Sequence, residues 1–111
     1  MDVNVKDLDG GIAVVQLAGR LNMASAARLR EAVTSIVDSG RTRVSIDMSG
    51  VDFLDSSGLG AIISALKTTR QAGGDLRIAA PSAQAKLVLQ LTNLDRVLTA
   101  YDDAETAFGD E

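Results

Sequence analysis

The segment VSIDMSGVDFLDSSGLG, residues 44–60, decides the fold class, because a strand pattern passes into a helix start within it. Val44, Ile46 and Met48 alternate with polar residues, which predicts a strand over 42–48. Two serines and two glycines follow, where the chain would turn from that strand into a helix. The carboxyl ends of the strands form the usual binding edge of an open α/β sheet, so this turn is the first candidate for a functional site.

The patterns on either side of this segment predict an alternation of strands and helices. Asp9-Gly10-Gly11 separates two strand patterns, which is a hairpin signal. We therefore expect an α/β protein in which an N-terminal β-hairpin leads into a mostly parallel sheet of four or five strands, with about four helices. We also expect one domain over 1–111, with 109–111 as a frayed tail. The predicted strands cover 2–7, 11–18, 42–48, 76–80 and 97–99. The predicted helices are 23–39, a second from the turn at 55–58 to Gly73-Gly74, a third capped by Ser82 and ended by a left-handed Asn93, and a last one capped by Asp102 or Asp103 and running through Phe108.

Apolar residues recur at helical spacing in three of the predicted helices, and each stripe predicts the buried face of its helix. With 46% apolar residues in 111, the chain can bury a sizeable core of mainly aliphatic side chains. The first stripe is Leu29, Ala32, Val33, Ile36 and Val37, the second is Leu59, Ile62, Ile63 and Leu66, and the third is Leu87, Val88 and Leu91.

The composition argues against most catalytic chemistry. The chain has no Cys and no His, which removes disulfides, thiolate and imidazole metal ligands, and imidazole general bases. We therefore expect a binding protein with no catalytic residues, no metal and no cofactor. A net charge of −4 provides no basic face for nucleic acid, and no apolar run approaches the roughly 20 residues of a membrane span. The N-terminus has no signal-like apolar core, so a cytoplasmic protein is expected.

The polar residues before the second predicted helix have two interpretations. In the first, Asp55, Ser56 or Ser57 only caps the helix, and Gly58 and Gly60 let the helix approach the sheet closely. In the second, the outward-facing amide groups of the helix start favour a negative group, which makes this edge a functional one. Neither a GxGxxG nor a GxxxxGK[ST] loop is present, so a nucleotide site has little support.

The wider pattern resembles that of the STAS domain, and most closely the bacterial anti-sigma factor antagonists. The DSSGLG segment at 55–60, preceded by VSIDMS and by Phe53-Leu54, is the most specific part of this resemblance. The resemblance extends over essentially the whole chain. Weaker matching motifs are Gly19-Arg20-Leu21-Asn22 with Ser25-Ala26 and Leu29, then Gly73-Gly74-Asp75, and finally Leu91-Thr92-Asn93-Leu94.

The resemblance implies a partner switch. In that family the unphosphorylated antagonist binds an anti-sigma factor that is also a serine kinase, and so frees a sigma factor. The kinase uses ATP to phosphorylate the first serine of the DSSG motif, and a metal-dependent serine phosphatase reverses the step. Carried onto this chain, the resemblance makes Ser56 the phosphorylation site and Ser57 a helix cap or spacer. The partner-binding residues it implies are Arg20, Leu21, Asn22, Met23, Asp55, Ser56, Ser57, Gly58 and Leu59.

The charges around Ser56 suggest how such a phosphate would act. A phosphate would add about −1.5 to −2 charge beside Asp52 and Asp55. No Arg or Lys occurs between Arg43 and Lys67, so the sequence predicts that the new charge meets no nearby cation. The helix start would then be its main support, and the charge would repel a partner rather than rearrange the domain.

Other interpretations stay open at this stage. A STAS scaffold that docks into a signalling or lipid-transport complex without phosphorylation would use Ser56 only as a cap. A two-component receiver domain needs an acidic pair after its first parallel strand, which residues 19–22 lack. A catalytic function would have to do without His, Cys or recognisable paired carboxylates. Many antagonists carry Asp where this chain has Asn22; asparagine keeps the ability to cap a helix but lacks the charge, which leaves the choice of kinase open. Met23 suits either a partner contact or the core.

Overall fold

The structure is a computed structural model that describes residues 1–109, so the expected frayed tail lies outside the described residues except for Gly109. Within that range no helix combines the length and the apolarity that a membrane crossing requires. The strands are β1 (Asp2–Leu8), β2 (Ile12–Leu21), β3 (Arg43–Leu54), β4 (Asp75–Ala79) and β5 (Ala100–Tyr101). The α-helices are α1 (Met23–Asp38), α2 (Ser56–Gln71) and α3 (Ala83–Leu91), and 3-10 turns cover Leu94–Arg96 and Ala104–Thr106.

The five strands form one sheet in the order β1-β2-β3-β4-β5. β1 and β2 are antiparallel, and the pairs from β2 to β5 are parallel. Gly10 and Gly11 of the hairpin turn have φ values of 83° and 76°, which glycine adopts without a Cβ clash. The predicted α/β fold, the N-terminal hairpin and the mostly parallel sheet are therefore confirmed.

The main hydrophobic core lies between one face of the sheet and the helices, because successive side chains of a strand point to opposite faces. Val14 faces the other way, into a smaller cluster with Ala79 and Ala104. The predicted stripes of α1 and α2 lie in or against the main core except for Ala32, and Val37 and Ile63 are only half-buried. Fully or almost fully buried members of this core include Val15, Leu21, Leu29, Val33, Ile36, Ile46, Ile62 and Ile78.

β2 and β3 are longer than predicted. Residues 51–54, which the sequence analysis left between strand and helix, continue β3 and pair with 19–21 of β2. An irregularity in the register allows this, and there Gly50 lies so close to the Leu17 carbonyl that a side chain would not fit. Such a bulge shifts the inward and outward alternation by one residue, so a period of two could not extend the strand through it.

The predicted buried face of α3 is wrong in part. Leu87 and Leu91 are 53% and 75% exposed, whereas the helix buries Ala85 and Leu89. Ser82 caps the helix as predicted, with its hydroxyl accepting from the Ala85 amide. The rotation of the helix follows from Gln84, whose side chain bonds both the amide and the carbonyl of Leu54.

The C-terminal elements also differ from the prediction of a strand at 97–99 and a helix to Phe108. Asn93 is left-handed, as expected, but a 3-10 turn follows it, and the strand forms later, at β5. Asp103 caps only one 3-10 turn before Arg77 donates a hydrogen bond to the Ala107 carbonyl. The Arg77 guanidinium also lies over the Phe108 ring. Together, the two contacts hold this segment in a non-helical conformation. Residues 1–109 thus contain three α-helices rather than about four.

Candidate functional site

The two turns that carry the strongest motifs lie side by side at the carboxyl edge of the sheet. β2 and β3 are parallel and end in register, with Arg20 beside Phe53 and Leu21 beside Leu54. The Asp55 amide donates to the Leu21 carbonyl at 3.3 Å, so the end of one strand holds the start of the next helix. Because parallel strands end at the same edge, helices α1 and α2 start as neighbours there.

The turn into α1 is held by reciprocal capping. The Asn22 side-chain oxygen accepts from the Ala24 amide at 3.1 Å, and the Asn22 amide donates to the Ser25 hydroxyl oxygen at 3.0 Å. That hydroxyl also donates to the Arg20 carbonyl at 2.7 Å. The predicted capping ability of Asn22 is confirmed, and the turn that presents Arg20 and Met23 is fixed in shape.

Asp55 is the cap of α2. Its carboxylate accepts from the Gly58 amide at 2.9 Å, and its backbone is extended, as expected of a residue just before a helix. The predicted capping role of Ser57 is therefore wrong, since Ser57 lies within the first helical turn and is half-buried. Ser56 is the first residue of the helix and is exposed. Within residues 1–109 its hydroxyl makes no hydrogen bond, so it is available to a partner.

Three of the residues predicted to bind a partner have buried side chains or positions. Leu21, Gly58 and Leu59 face the interior, so they cannot touch a partner through their side chains, and the prediction needs correcting for them. A methyl group at Gly58 would overlap the carbonyl of Leu21 and its side chain. These residues instead lie in the buried contact between α2 and the end of β2, and they set how closely the helix approaches this edge of the sheet.

Of the remaining predicted residues, three are exposed at this edge, Arg20, Met23 and Ser56, and three are half-buried, Asn22, Asp55 and Ser57. The sequence analysis missed one exposed residue beside them. Met23 is 78% exposed, and Phe53 is 38% exposed with the Arg20 guanidinium carbon 5.4 Å from its ring centroid. The signal for Phe53 was its position next to Leu54, because the neighbour of an inward-facing strand residue faces outward. We call Arg20, Met23, Phe53 and Ser56 the rim, since they surround the edge from four elements.

The charges at this edge differ from the expectation that no cation lies near Ser56. A guanidinium nitrogen of Arg30, in α1, lies 3.8 Å from the position that a Cβ of Gly60 would occupy. Gly60 is one helical turn beyond Ser56, so Arg30 lies against the same part of α2. The sequence could not indicate this, because Arg30 is 26 positions away along the chain from Ser56. Asp52, as expected, is exposed beside the turn.

Comparison with known proteins agrees with the architecture of this edge. The STAS domain family matches residues 5–107, and the chain belongs to that family. The match includes both turns and every strand except the start of β1.

Named relatives come from several bacteria. A candidate anti-sigma factor antagonist of Thermotoga maritima is 34% identical over 71 residues, which is 64% of this chain and 63% of that protein. The alignment thus spans less than two thirds of that relative. The anti-sigma-B factor antagonist of Bacillus subtilis is 28% identical over 98 residues, 88% of each protein. The crystal structure of a candidate anti-sigma factor antagonist from Thermotoga maritima has a TM-score of 0.89 at 28% identity, covering 97% of this chain and 92% of that one.

Proposed function

We propose that the chain is an anti-sigma factor antagonist that works by partner switching. With Ser56 unmodified, it binds an anti-sigma factor that has serine kinase activity, and a sigma factor is released. When the kinase phosphorylates Ser56, the antagonist dissociates. The observation that supports this most is the exposed, unbonded Ser56 hydroxyl at the edge where the two motifs of the family meet. The names of the antagonist relatives support the partner class.

The covalent step is a transfer of the γ-phosphoryl group of ATP to the Ser56 oxygen. The serine O–H bond and the bond from the γ-phosphorus to the bridging oxygen break, a serine O–P bond forms, and ADP leaves. The serine proton passes to a base of the kinase. The metal-dependent serine phosphatase reverses the state by hydrolysis: water attacks the phosphorus, the hydroxyl is restored and inorganic phosphate leaves.

The modification would weaken binding through charge and bulk at the centre of the rim. The phosphate adds about −1.5 to −2 charge beside two carboxylates, Asp52 and Asp55. A change of about 3 kcal/mol corresponds to about a hundredfold in affinity, and one charge introduced into a desolvated interface can supply it. Met23 and the stacked pair of Arg20 and Phe53 would anchor the partner, since interfaces concentrate binding energy in Arg and aromatic side chains.

The setting of this activity follows from the same proposal. The chain acts as a single STAS domain in the cytoplasm, where its kinase, its phosphatase and the sigma factor are found. It contributes no catalytic residue and binds no metal, cofactor or nucleic acid in this role. The chemistry belongs to the partners, and the chain contributes one hydroxyl and a surface of defined shape.

The modification is tested by incubating the purified chain with its kinase and ATP and locating phosphate by mass spectrometry. We expect one phosphate, on Ser56, and none in Ser56→Ala. Ser57→Ala is the matched control, because Ser57 is adjacent but half-buried in the helix, and it should still take one phosphate. Phosphate found on Ser57 in the unchanged chain would overturn the assignment.

The switch is tested by calorimetry against the kinase with Ser56→Ala and Ser56→Asp. Ser56→Ala should bind constitutively and Ser56→Asp more weakly, with circular dichroism as the control of folding. Phe53→Ala should also weaken binding, whereas Leu91→Ala should not, since Leu91 is exposed and apolar but lies at the far end of α3. Equal affinities for the Ala and Asp variants would reject the switch in favour of a scaffold that docks without phosphorylation.

A further inference from the structure

Arg30 lies where two parallel helices face each other close to the rim. It is in the second turn of α1, and its guanidinium reaches across to Gly60 of α2, with one nitrogen 3.8 Å from the position of a Cβ there. A methyl group at that position would be in ordinary van der Waals contact with the guanidinium, so the guanidinium lies over the open surface of α2 at Gly60. Glycine leaves no side chain between the guanidinium and the backbone of α2.

The position of Gly60 relates Arg30 to Ser56. Residues four apart on a helix are neighbours, with about 5–6 Å between their Cβ atoms. Side chains on a helix lean toward its N-terminus, so the surface beside Ser56 adjoins the surface that Gly60 leaves open. A phosphate extends beyond the serine oxygen, and the arginine side chain has several rotatable bonds. Contact between the guanidinium and a phosphate on Ser56 then requires a rotation of the arginine side chain.

Within residues 1–109, Arg30 makes no hydrogen bond and no ion pair. Other arginines nearby are engaged. Arg28, two positions earlier on the exposed side of α1, donates to the Met1 carbonyl, and Arg20 stacks on Phe53. The guanidinium over Gly60 is thus a cation that a new anion can recruit without breaking an existing bond.

We propose that Arg30 is the intramolecular counter-ion of phosphorylated Ser56, and that it holds the phosphate across the α1–α2 surface. This inference rests on the proposed phosphorylation of Ser56. Arginine suits this role because its planar fork can donate two parallel hydrogen bonds to phosphate oxygens. The phosphate then acts twice on a partner: it adds negative charge at the rim and it withdraws a positive group from the same edge.

The test installs phosphoserine at position 56 of the full chain during synthesis, which makes the result independent of any kinase. Phosphorus NMR follows the second ionisation of this phosphate as the pH is varied. The pair favours the doubly charged phosphate, so in Arg30→Gln the titration midpoint should move to higher pH, with the acidity weakened about threefold for an exposed pair. The midpoint for Arg30→Lys should lie between those of the unchanged chain and Arg30→Gln, because lysine keeps the charge but lacks the planar guanidinium.

Arg28→Gln is the matched control, since it removes a cation from the same helix that bonds Met1 instead. Its midpoint should equal that of the unchanged chain. Identical midpoints for the unchanged chain, Arg30→Gln and Arg28→Gln would overturn the counter-ion, whatever the kinase does. If the kinase instead ignores Ser56 while the installed phosphate still responds to Arg30, the proposed function fails and the ion pair stands.

Discussion

The inner and outer sides of the first turns of α2 differ in how closely they are packed against the rest of the domain. Gly58 and Gly60 show this difference. At Gly58 a methyl group would overlap the carbonyl of Leu21, so the absence of a side chain lets the helix touch the end of β2. At Gly60 a methyl group would meet only the guanidinium of Arg30, at an ordinary contact distance. The start of α2 is therefore in close contact with β2 on its inner side, whereas its outer side is open.

The same contrast extends to the neighbouring residues. Leu59 and Ile62 continue the inner side into the core, whereas Ser56 begins the outer side, and its hydroxyl makes no hydrogen bond within residues 1–109. A modification on the outer side can change the surface without disturbing the contact between α2 and β2. The proposed switch requires this division, because the inner side keeps the domain folded while the outer side is modified.

The largest expected effect lies on the inner side. Ile62→Ala should lower the free energy of unfolding by about 2–5 kcal/mol, because Ile62 is fully buried and its removal leaves a cavity. Ile63→Ala should cost about half as much, since Ile63 is half-buried. Urea denaturation followed by circular dichroism measures both. A cost for Ile63→Ala equal to or above that of Ile62→Ala would mean that the helix is rotated from the orientation described.

A second prediction compares the two glycines directly. Gly58→Ala should destabilise the domain by about 1–3 kcal/mol, because the new methyl group forces the helix away from β2. Gly60→Ala should be neutral or stabilise by up to about 1 kcal/mol, since alanine is the better helix former and has room there. The two variants carry the same chemical change, so each controls for the other. Equal losses in denaturation would contradict the division into inner and outer sides.

The smallest expected effect separates the cap of α2, Asp55, from the proposed phosphorylation site, Ser56. Asp55→Ala should cost about 0.5–2 kcal/mol, because it removes the oxygen that accepts from the Gly58 amide. Ser56→Ala should change stability by no more than about 0.5 kcal/mol, as its hydroxyl is exposed and unbonded within the described residues. Thermal unfolding of the two variants measures the difference. A loss at Ser56 as large as that at Asp55 would return a capping role to the serine.

Much of the fold could be predicted because its signals are local. The hairpin depends on Gly10 and Gly11, which adopt positive φ at no steric cost, and the faces of α1 and α2 depend on a regular spacing of aliphatic residues. The face of α3 could not be predicted in this way. Its leucines at 87 and 91 have the right spacing for burial, but the contact between Gln84 and Leu54 turns the helix so that they face outward.

The candidate site also has some features that could be predicted from the sequence and others that could not. The sequence by itself determined the family resemblance, the strand-to-helix turn around Ser56 and the capping ability of Asn22, because each is encoded within a few consecutive residues. Only the tertiary structure decided that the Arg20 and Phe53 side chains stack, that Leu21 and Gly58 are in contact and that Arg30 lies against α2. These contacts join residues from 30 to 37 positions apart, counted from their numbers in the chain. Such pairs meet because parallel strands bring the starts of two helices to one edge, a consequence of sheet topology that no local pattern contains.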